Sequence, residues 1–372
     1  MAAARLIVGS SERDADLLYA THFFAPDEMV WFFHKGRSYA LLSRLEIDRA
    51  RATAKIDRIF AWEDLQKKLE RRSGKSPKKE EVILDALRQR GINRVEIPEM
   101  FPVALADFLR KRGVKISIRE GMFFPKRQIK TPAEIKAIEH ALHIAEAGLE
   151  RALGILRAAR IAANGLLRWN GQTLTSEILR GEIDAAIVRR GGLPSRTIVA
   201  CGKQACDPHE MGSGPLRAHS AIMLDIFPRD QKTGYFGDLT RTVVKGRAPA
   251  ALKALYETVK EGQDLALKKM KPGVDGKVLH KEIVALFERK GFKTQQRKGR
   301  WVGFFHGTGH SLGLEIHEPP RFSQAVFQAG HVMTVEPGLY FPSIGGVRLE
   351  DLVVIKTGGI RNLTRVERRL EI

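Results

Sequence analysis

The stretch VMTVEPGLYFPSIGGVRLEDLVVI, residues 332–355, sets single acids inside otherwise apolar, strand-like runs. Glu336 closes the run Val332–Val335, and Pro337-Gly338 supplies the turn that stops it. Arg348 and Glu350 stand two apart and so share one strand face, with Asp351 on the other. An ionised carboxylate buried alone is costly or shifts its pKa until neutral, so each such acid calls for a cation or a metal. The pattern recurs upstream. Asp225 interrupts AIMLDIF (221–227), and Asp238 stands at a strand entrance in GYFGDLTRT (234–242). For Asp238 alone, a salt bridge to Arg241 explains the acid as well as a metal does.

Between these acids lies HGTGHSLGLEIHE, residues 306–318. Gly307 and Gly309 disfavour a helix, so His306 and His310 are expected in a tight glycine-rich loop. His317 is an odd number of residues beyond His310, which puts the two on opposite faces of a flat strand unless Gly313 breaks the regularity. This concentration of histidines, in a chain with 11 in all, points to chemistry rather than core packing. Four acids at strand ends and a histidine-rich loop converging in an α/β core point to a metal pair. Hard oxygen donors with one imidazole suit Mn²⁺, Co²⁺, Fe²⁺ or Zn²⁺ better than copper, and bridging carboxylates hold such ions about 3.5–4 Å apart.

Working outward, the 372 residues exceed what one core usually supports, so two domains are expected. In residues 1–125, short apolar runs at 4–8, 29–33, 38–42, 95–97 and 114–118 read as strands, and 62–70 and 80–90 have helical spacing. RRSGKSPKK (71–79) between the helices is an exposed loop. Pro125 and Pro132 bracket a basic linker, and Thr131 with Glu134 forms a capping pair, which puts the domain boundary there. In residues 126–372, helices are expected at 132–160 and 176–190, followed by strands at 197–200, 221–227 and 239–244. Helices at 249–270 and 276–290 then precede strands at 312–316, 332–335 and 347–355. This recurrence, at a period of roughly 110 residues, suggests an internal duplication with a site between its halves.

The net charge of +20 raises the question of nucleic acid. Its excess is spread among acidic residues, and no nucleic-acid motif accompanies it, so it reads as a solvated surface with no specific nucleic-acid partner. No apolar run approaches the roughly 20 residues that span a bilayer, so no membrane partner is expected. Cys201 and Cys206 are the only thiols, without a second pair at zinc-finger spacing, and no leader-like segment precedes Arg5–Val8. A soluble protein of the reducing cytoplasm is expected.

In that order, GYFGDLTRT, HGTGHSLGLEIHE, VEPGLY and VRLED resemble the signature blocks of the proline-specific metallopeptidases. These are prolidase (Xaa-Pro dipeptidase) and aminopeptidase P, of the pita-bread fold shared with methionine aminopeptidase and creatinase. LLYATHFFAPDEMVWF, residues 17–32, is similar to the creatinase-type N-terminal domain. The resemblance implies an α/β (α+β) architecture: a pita-bread catalytic domain over 126–372 with an internal pseudo-twofold repeat, preceded by a smaller creatinase-like α/β domain over 1–125. It implies two divalent ions, Mn²⁺ or Co²⁺ first and Zn²⁺ or Fe²⁺ next, held by Asp225, Asp238, His310, Glu336 and Glu350, with Asp238 and Glu350 bridging. His306 and His317 match its substrate-side histidines and His209 a further one, while Arg348 supports the ligands and Tyr340 lines the pocket. A homodimer is implied as well.

Such a centre implies hydrolysis of the Xaa-Pro bond in dipeptides or at the N-terminus of short proline-containing peptides. Glu336 takes the proton of the attacking water and passes one to the leaving imino nitrogen, while His306 and His317 hydrogen-bond the carbonyl and oxyanion. The rival classes are a non-catalytic peptide-binding member of the fold and a metal-dependent hydrolase of another small C–N substrate. In one respect the chain departs from the family pattern: the hairpin between Asp225 and Asp238 is two residues longer. A two-residue insertion preserves the alternation of faces, so both acids can still point inward. Lys293–Arg300, KTQQRKGR, is a candidate attractor for a dipeptide's free carboxylate, against the simpler reading as an exposed loop.

Overall fold

The short apolar runs of the first part pair into one sheet in the computed structural model, which describes residues 3–372. Its strands are β1 (Ala4–Gly9), β2 (Met29–His34), β3 (Arg37–Leu42), β4 (Arg58–Ala61), β5 (Arg94–Pro98) and β6 (Lys115–Arg119), in the order β4-β3-β2-β1-β5-β6. β2 pairs antiparallel with both β1 and β3, and the outer pairings are parallel. Alternation along β1 explains why both faces are covered: Leu6 and Val8 join one apolar cluster with Phe32 and Leu109, and Ile7 joins another with Phe23 and Phe123. The expected helices appear as α3 (Trp62–Ser73) and α4 (Lys79–Arg88). Three further helices, not expected from the sequence, are α1 (Ala15–Thr21), α2 (Arg44–Thr53) and α5 (Val103–Lys111), the last burying Leu105, Ala106 and Leu109. Among the described residues, 3–125 form one compact unit and Lys126–Ile372 a second.

In the second unit, Thr131 caps α6 (Pro132–Ala158) with the reciprocal Glu134 bond. The face of Ile135, Ile138, Leu142, Ala145 and Leu149 is buried, and α6 packs on α7 (Ser176–Arg189). Strands Ile198–Cys201, Ile222–Ile226 and Leu239–Val243 then form an antiparallel sheet. A second helix pair, α8 (Ala250–Lys269) and α9 (Gly276–Arg289), precedes a five-stranded sheet. That sheet is ordered Glu318–Arg321, His310–Ser311, Val332–Val335, Asp351–Lys356 and Gly359–Asn362. The two sheets meet where Glu350 N donates to Thr240 O at 3.1 Å. Helix pair followed by antiparallel sheet thus occurs twice, and the junction between the repeats falls on a candidate ligand.

The expected strand at 312–316 is absent. The chain pairs only at His310–Ser311, loops through 312–317 and returns at Glu318–Arg321. A carboxylate oxygen of Glu318 lies 1.8 Å from where a Cβ on Gly313 would stand, so the loop folds over that acid as only glycine permits. Among the described residues, no helix is long and apolar enough to cross a membrane.

Candidate metal centre

Asp225 lies opposite Thr240 across the three-stranded sheet, and Asp238 is two residues before Thr240, so both acids share one sheet face. The longer hairpin between them closes tightly. Asp230 holds its turn through Thr233 and accepts from Lys232 N, and Asp230 N bonds Tyr235 O at 2.9 Å. Its descending arm is pressed onto α6: a Cβ on Gly237 would lie 2.3 Å from Leu142 N. Tyr235 donates to Glu134 at 3.0 Å, and Phe236 N donates to Gly313 O at 2.8 Å. Both acids thus leave the sheet on one face, joined by a hairpin held at its tip and along its descending arm.

From the other sheet come His310, Glu336 and Glu350. His310 N bonds Thr334 Oγ1 at 3.0 Å, and its Nδ1 faces Ser311 O at 3.2 Å, which turns Nε2 toward the acids. Nε2 lies 3.3 Å from Glu336 and 3.7 Å from Asp238. Asp238, His310 and Glu350 offer ligand atoms within 4.8 Å of one another, all buried. Thr240 donates to Glu350 at 2.7 Å and Thr334 to Glu336 at 3.2 Å. These threonines escaped the sequence reading, although each stands two residues from a candidate ligand on the same strand face. Asp225 is apart from the three, paired with the guanidinium of Arg348.

Arg241 does not pair with Asp238. Its guanidinium binds Asp351 at 2.8 Å, and Glu350 O at 2.6 Å, because side chains alternate and Arg241 faces away from Asp238 and Thr240. Asp238 thus lacks the simple partner that the sequence offered. The Oδ1 atoms of Asp225 and Asp238 are buried with no hydrogen-bond partner among the described residues. Burial and the neighbouring charges of Glu350, Asp225 and Glu336 push the Asp238 carboxyl well up. Burial with Glu336 and Asp225 does the same to Glu350, and burial pushes Glu336 up to about 7. Burial chiefly, with His317 adding to it, pulls His310 down to about 3, leaving a neutral imidazole. Acids that repel one another, unpaired oxygens and a neutral imidazole aimed at them fit divalent cations. Burial opposes the charge of Arg348, but Tyr340, Asp225, Glu336 and Glu350 outweigh it and hold the guanidinium protonated.

The site opens on a cavity of about 800 Å³ whose wall includes His209, His306, His310, His317, Arg348 and all four acids. His317 stands edge-on to His310, ring centroids 4.4 Å apart, which the loop at 312–317 permits and a flat strand would not. Tyr340 is not on the wall. It is fully buried behind His306, whose Nε2 meets its hydroxyl at 2.8 Å, while Arg348 donates to the same oxygen at 3.1 Å. With Nδ1 of His306 bonded to Gly307 O at 2.8 Å, both ring nitrogens are engaged. His306 therefore anchors a chain through Tyr340 and Arg348 to Asp225, whereas the rings of His209 and His317, also on the wall, make no hydrogen bond among the described residues and can meet a substrate oxygen. Lys293–Arg300 lies mostly in the exposed hairpin of Gln295–Arg297 with Arg300–Val302, and none of its cations is on the cavity wall. The cations there besides Arg348 are Arg196 and Arg321, both exposed and absent from the sequence reading; Arg321 follows His317 by four residues, whereas nothing in the sequence singles out Arg196.

Comparison with known proteins identifies the family of the chain. The model of metallopeptidase family M24 matches residues 136–357, which include every candidate ligand. The chain is 32% identical over 295 residues to the Xaa-Pro dipeptidase of Pyrococcus horikoshii, covering 75% of each chain. It is 33% identical over 254 residues to that of Pyrococcus furiosus, covering 66% of this chain and 65% of the relative. The prolidase structure from Pyrococcus horikoshii OT3 superposes with a TM-score of 0.79 at 26% identity, over 99% of this chain and 95% of that one. The X-Pro aminopeptidase from Thermotoga maritima shares the fold, with a TM-score of 0.83 at 22% identity over 100% and 97%. From its sequence blocks, its twice-repeated helix pair and sheet, and these matches, the chain belongs to metallopeptidase family M24 and has the pita-bread fold of prolidase and aminopeptidase P.

Proposed function

We propose that the chain hydrolyses the Xaa-Pro bond of dipeptides and short proline-containing peptides with two divalent ions, Mn²⁺ or Co²⁺ first. The observation that carries this reading is the buried group of Asp238, His310 and Glu350, with unpaired acid oxygens, at the floor of a cavity whose wall carries His306 and His317. Asp225, Asp238, His310, Glu336 and Glu350 would hold the ions. When bound, such ions supply the Lewis acidity that makes water nucleophilic near neutral pH and polarises the scissile carbonyl. Glu336, at the rim of the acid cluster, accepts the proton of the attacking water and returns one to the leaving imino nitrogen. His317, held neutral chiefly by burial with Arg321 adding to it, donates a hydrogen bond to the oxyanion. His306 keeps Tyr340 and Arg348 in place against Asp225.

The wall beside the acids joins Ile198, Phe227, Phe305 and Ile316 to Arg196 and Arg321. An apolar wall suits a proline ring, and the two guanidinium groups suit a free carboxylate, which favours dipeptides. A panel of Ala-Pro, Ala-Pro-amide, Ala-Pro-Ala and Ala-Ala, assayed with added Mn²⁺ or Co²⁺, tests both statements. Turnover of Ala-Pro but not Ala-Ala is expected, with a KM at least about tenfold higher for the amide, equivalent to roughly 1.4 kcal/mol. No turnover of any member by metal-loaded protein contradicts the peptidase reading, and equal KM for acid and amide contradicts the dipeptide preference.

A further inference from the structure

Beneath the loop 312–317 lies an ionic cluster that the proposed chemistry does not use. Glu318 is 1% exposed, Arg127 3% and Lys130 4%, so three formally charged groups are nearly withdrawn from water. Arg127 approaches one carboxylate oxygen of Glu318 at 2.8 Å, Lys130 the other at 3.4 Å, and Lys130 also donates to Arg127 O. Arg127 reaches on to Glu315 within the loop at 2.8 Å. Burial lowers the Lys130 ammonium pKa and raises that of the Glu318 carboxyl, the opposing signs expected when desolvation dominates over pairing.

A buried ion cluster is poor evidence of stabilisation, because apolar side chains of similar volume often serve as well. What this one does visibly is shape the loop. The Glu318 carboxylate occupies the space a side chain at position 313 would need, and Lys130 Cε lies 3.1 Å from the same point. The loop therefore wraps around the acid, and its outer turn puts Ile316 and His317 on the cavity wall. Gly313 N bonds Glu315 O at 3.0 Å, and Gly313 O receives Phe236 N from the hairpin that joins Asp225 to Asp238. Glu134, three residues beyond Thr131, holds Tyr235 of that hairpin. Residues 127–134 thus grip the loop of one repeat and the hairpin of the other.

We propose that Arg127 and Lys130, acting through Glu318, are positioning residues for His317: they fix the acid around which loop 312–317 folds and so set where the His317 ring stands beside His310. The proposal rests on the reading of His317 as the oxyanion donor, but the placement of its ring is testable apart from turnover. In the metal-loaded full-length chain, Lys130→Met and Glu318→Gln are expected to lower kcat for Ala-Pro about 10–100-fold with bound metal retained. In an His317→Ala background the same changes cost less than about twofold, because the residue they place is gone. An equal loss in both backgrounds, or one that tracks lost metal, overturns the proposal.

In ¹³C-histidine-labelled protein, the His317 resonance, identified by its loss in His317→Asn, moves in both variants while that of His219 stays. An unmoved His317 resonance overturns the proposal even if no proline peptide is cleaved. If Lys130→Met does not fold, Glu318→Gln, which keeps the shape of the acid, carries both measurements.

Discussion

At the scale of residues, the acids behave as a set. Asp238 is pushed up by burial and by Glu350, Asp225 and Glu336, Glu350 by burial with Glu336 and Asp225, and burial pushes Glu336 up to about 7. Groups whose folded pKa is raised favour the fold below their unfolded values, and that contribution is lost as pH rises through the folded ones. The metal-free chain is therefore expected to lose thermal stability as pH rises through about 7, where Glu336 ionises beside the other buried acids. Metal binding requires the ionised forms, so it releases protons and tightens over the same range. Calorimetry of Mn²⁺ binding in two buffers of different ionisation enthalpy measures the release, and identical heats in both buffers would exclude it. The four acids were readable as candidates because an acid inside an apolar run is conspicuous, and His310 because it stands in a histidine-rich, glycine-broken block. Thr240 and Thr334 were readable in principle through strand period two. Tyr340 was misplaced because its hydroxyl, buried against His306 and Arg348, gives no sequence sign of which layer it occupies.

At the scale of elements, the hairpin between Asp225 and Asp238 decides whether two acids from one strand pair can serve one site. Its length was visible in the sequence, and parity alone predicted that both acids would face inward. What parity could not show is the support: Gly237 against α6, Tyr235 on Glu134 and Phe236 on Gly313. Gly237→Ala is expected to cost about 1–3 kcal/mol, since its Cβ must displace backbone rather than a flexible side chain. A melt of the metal-free variant measures this, and an unchanged melting temperature would mean that the hairpin is not seated on the helix as described. Loop 312–317 was misread as a strand for a related reason. Leu312, Leu314 and Ile316 alternate as a strand should, but the buried Glu318 under Gly313, a contact made in three dimensions, turns the chain away.

At the scale of the whole molecule, the repeated order of helix pair and sheet was legible from apolar periodicity, without any visible likeness between the two halves. The short helices α1, α2 and α5 were not, because each is too brief, at 7, 10 and 9 residues, for its apolar spacing to stand out from a loop. The central claim is that the second unit brings its acids and His310 together as one metal centre that performs hydrolysis. The most direct measurement is metal content together with Ala-Pro turnover, for the full-length chain and for Asp238→Asn. Two bound ions per chain and turnover are expected, with both lost in the variant and its fold retained by circular dichroism. A variant that still hydrolyses Ala-Pro, or an unaltered chain that binds two ions and cleaves nothing, would contradict the account.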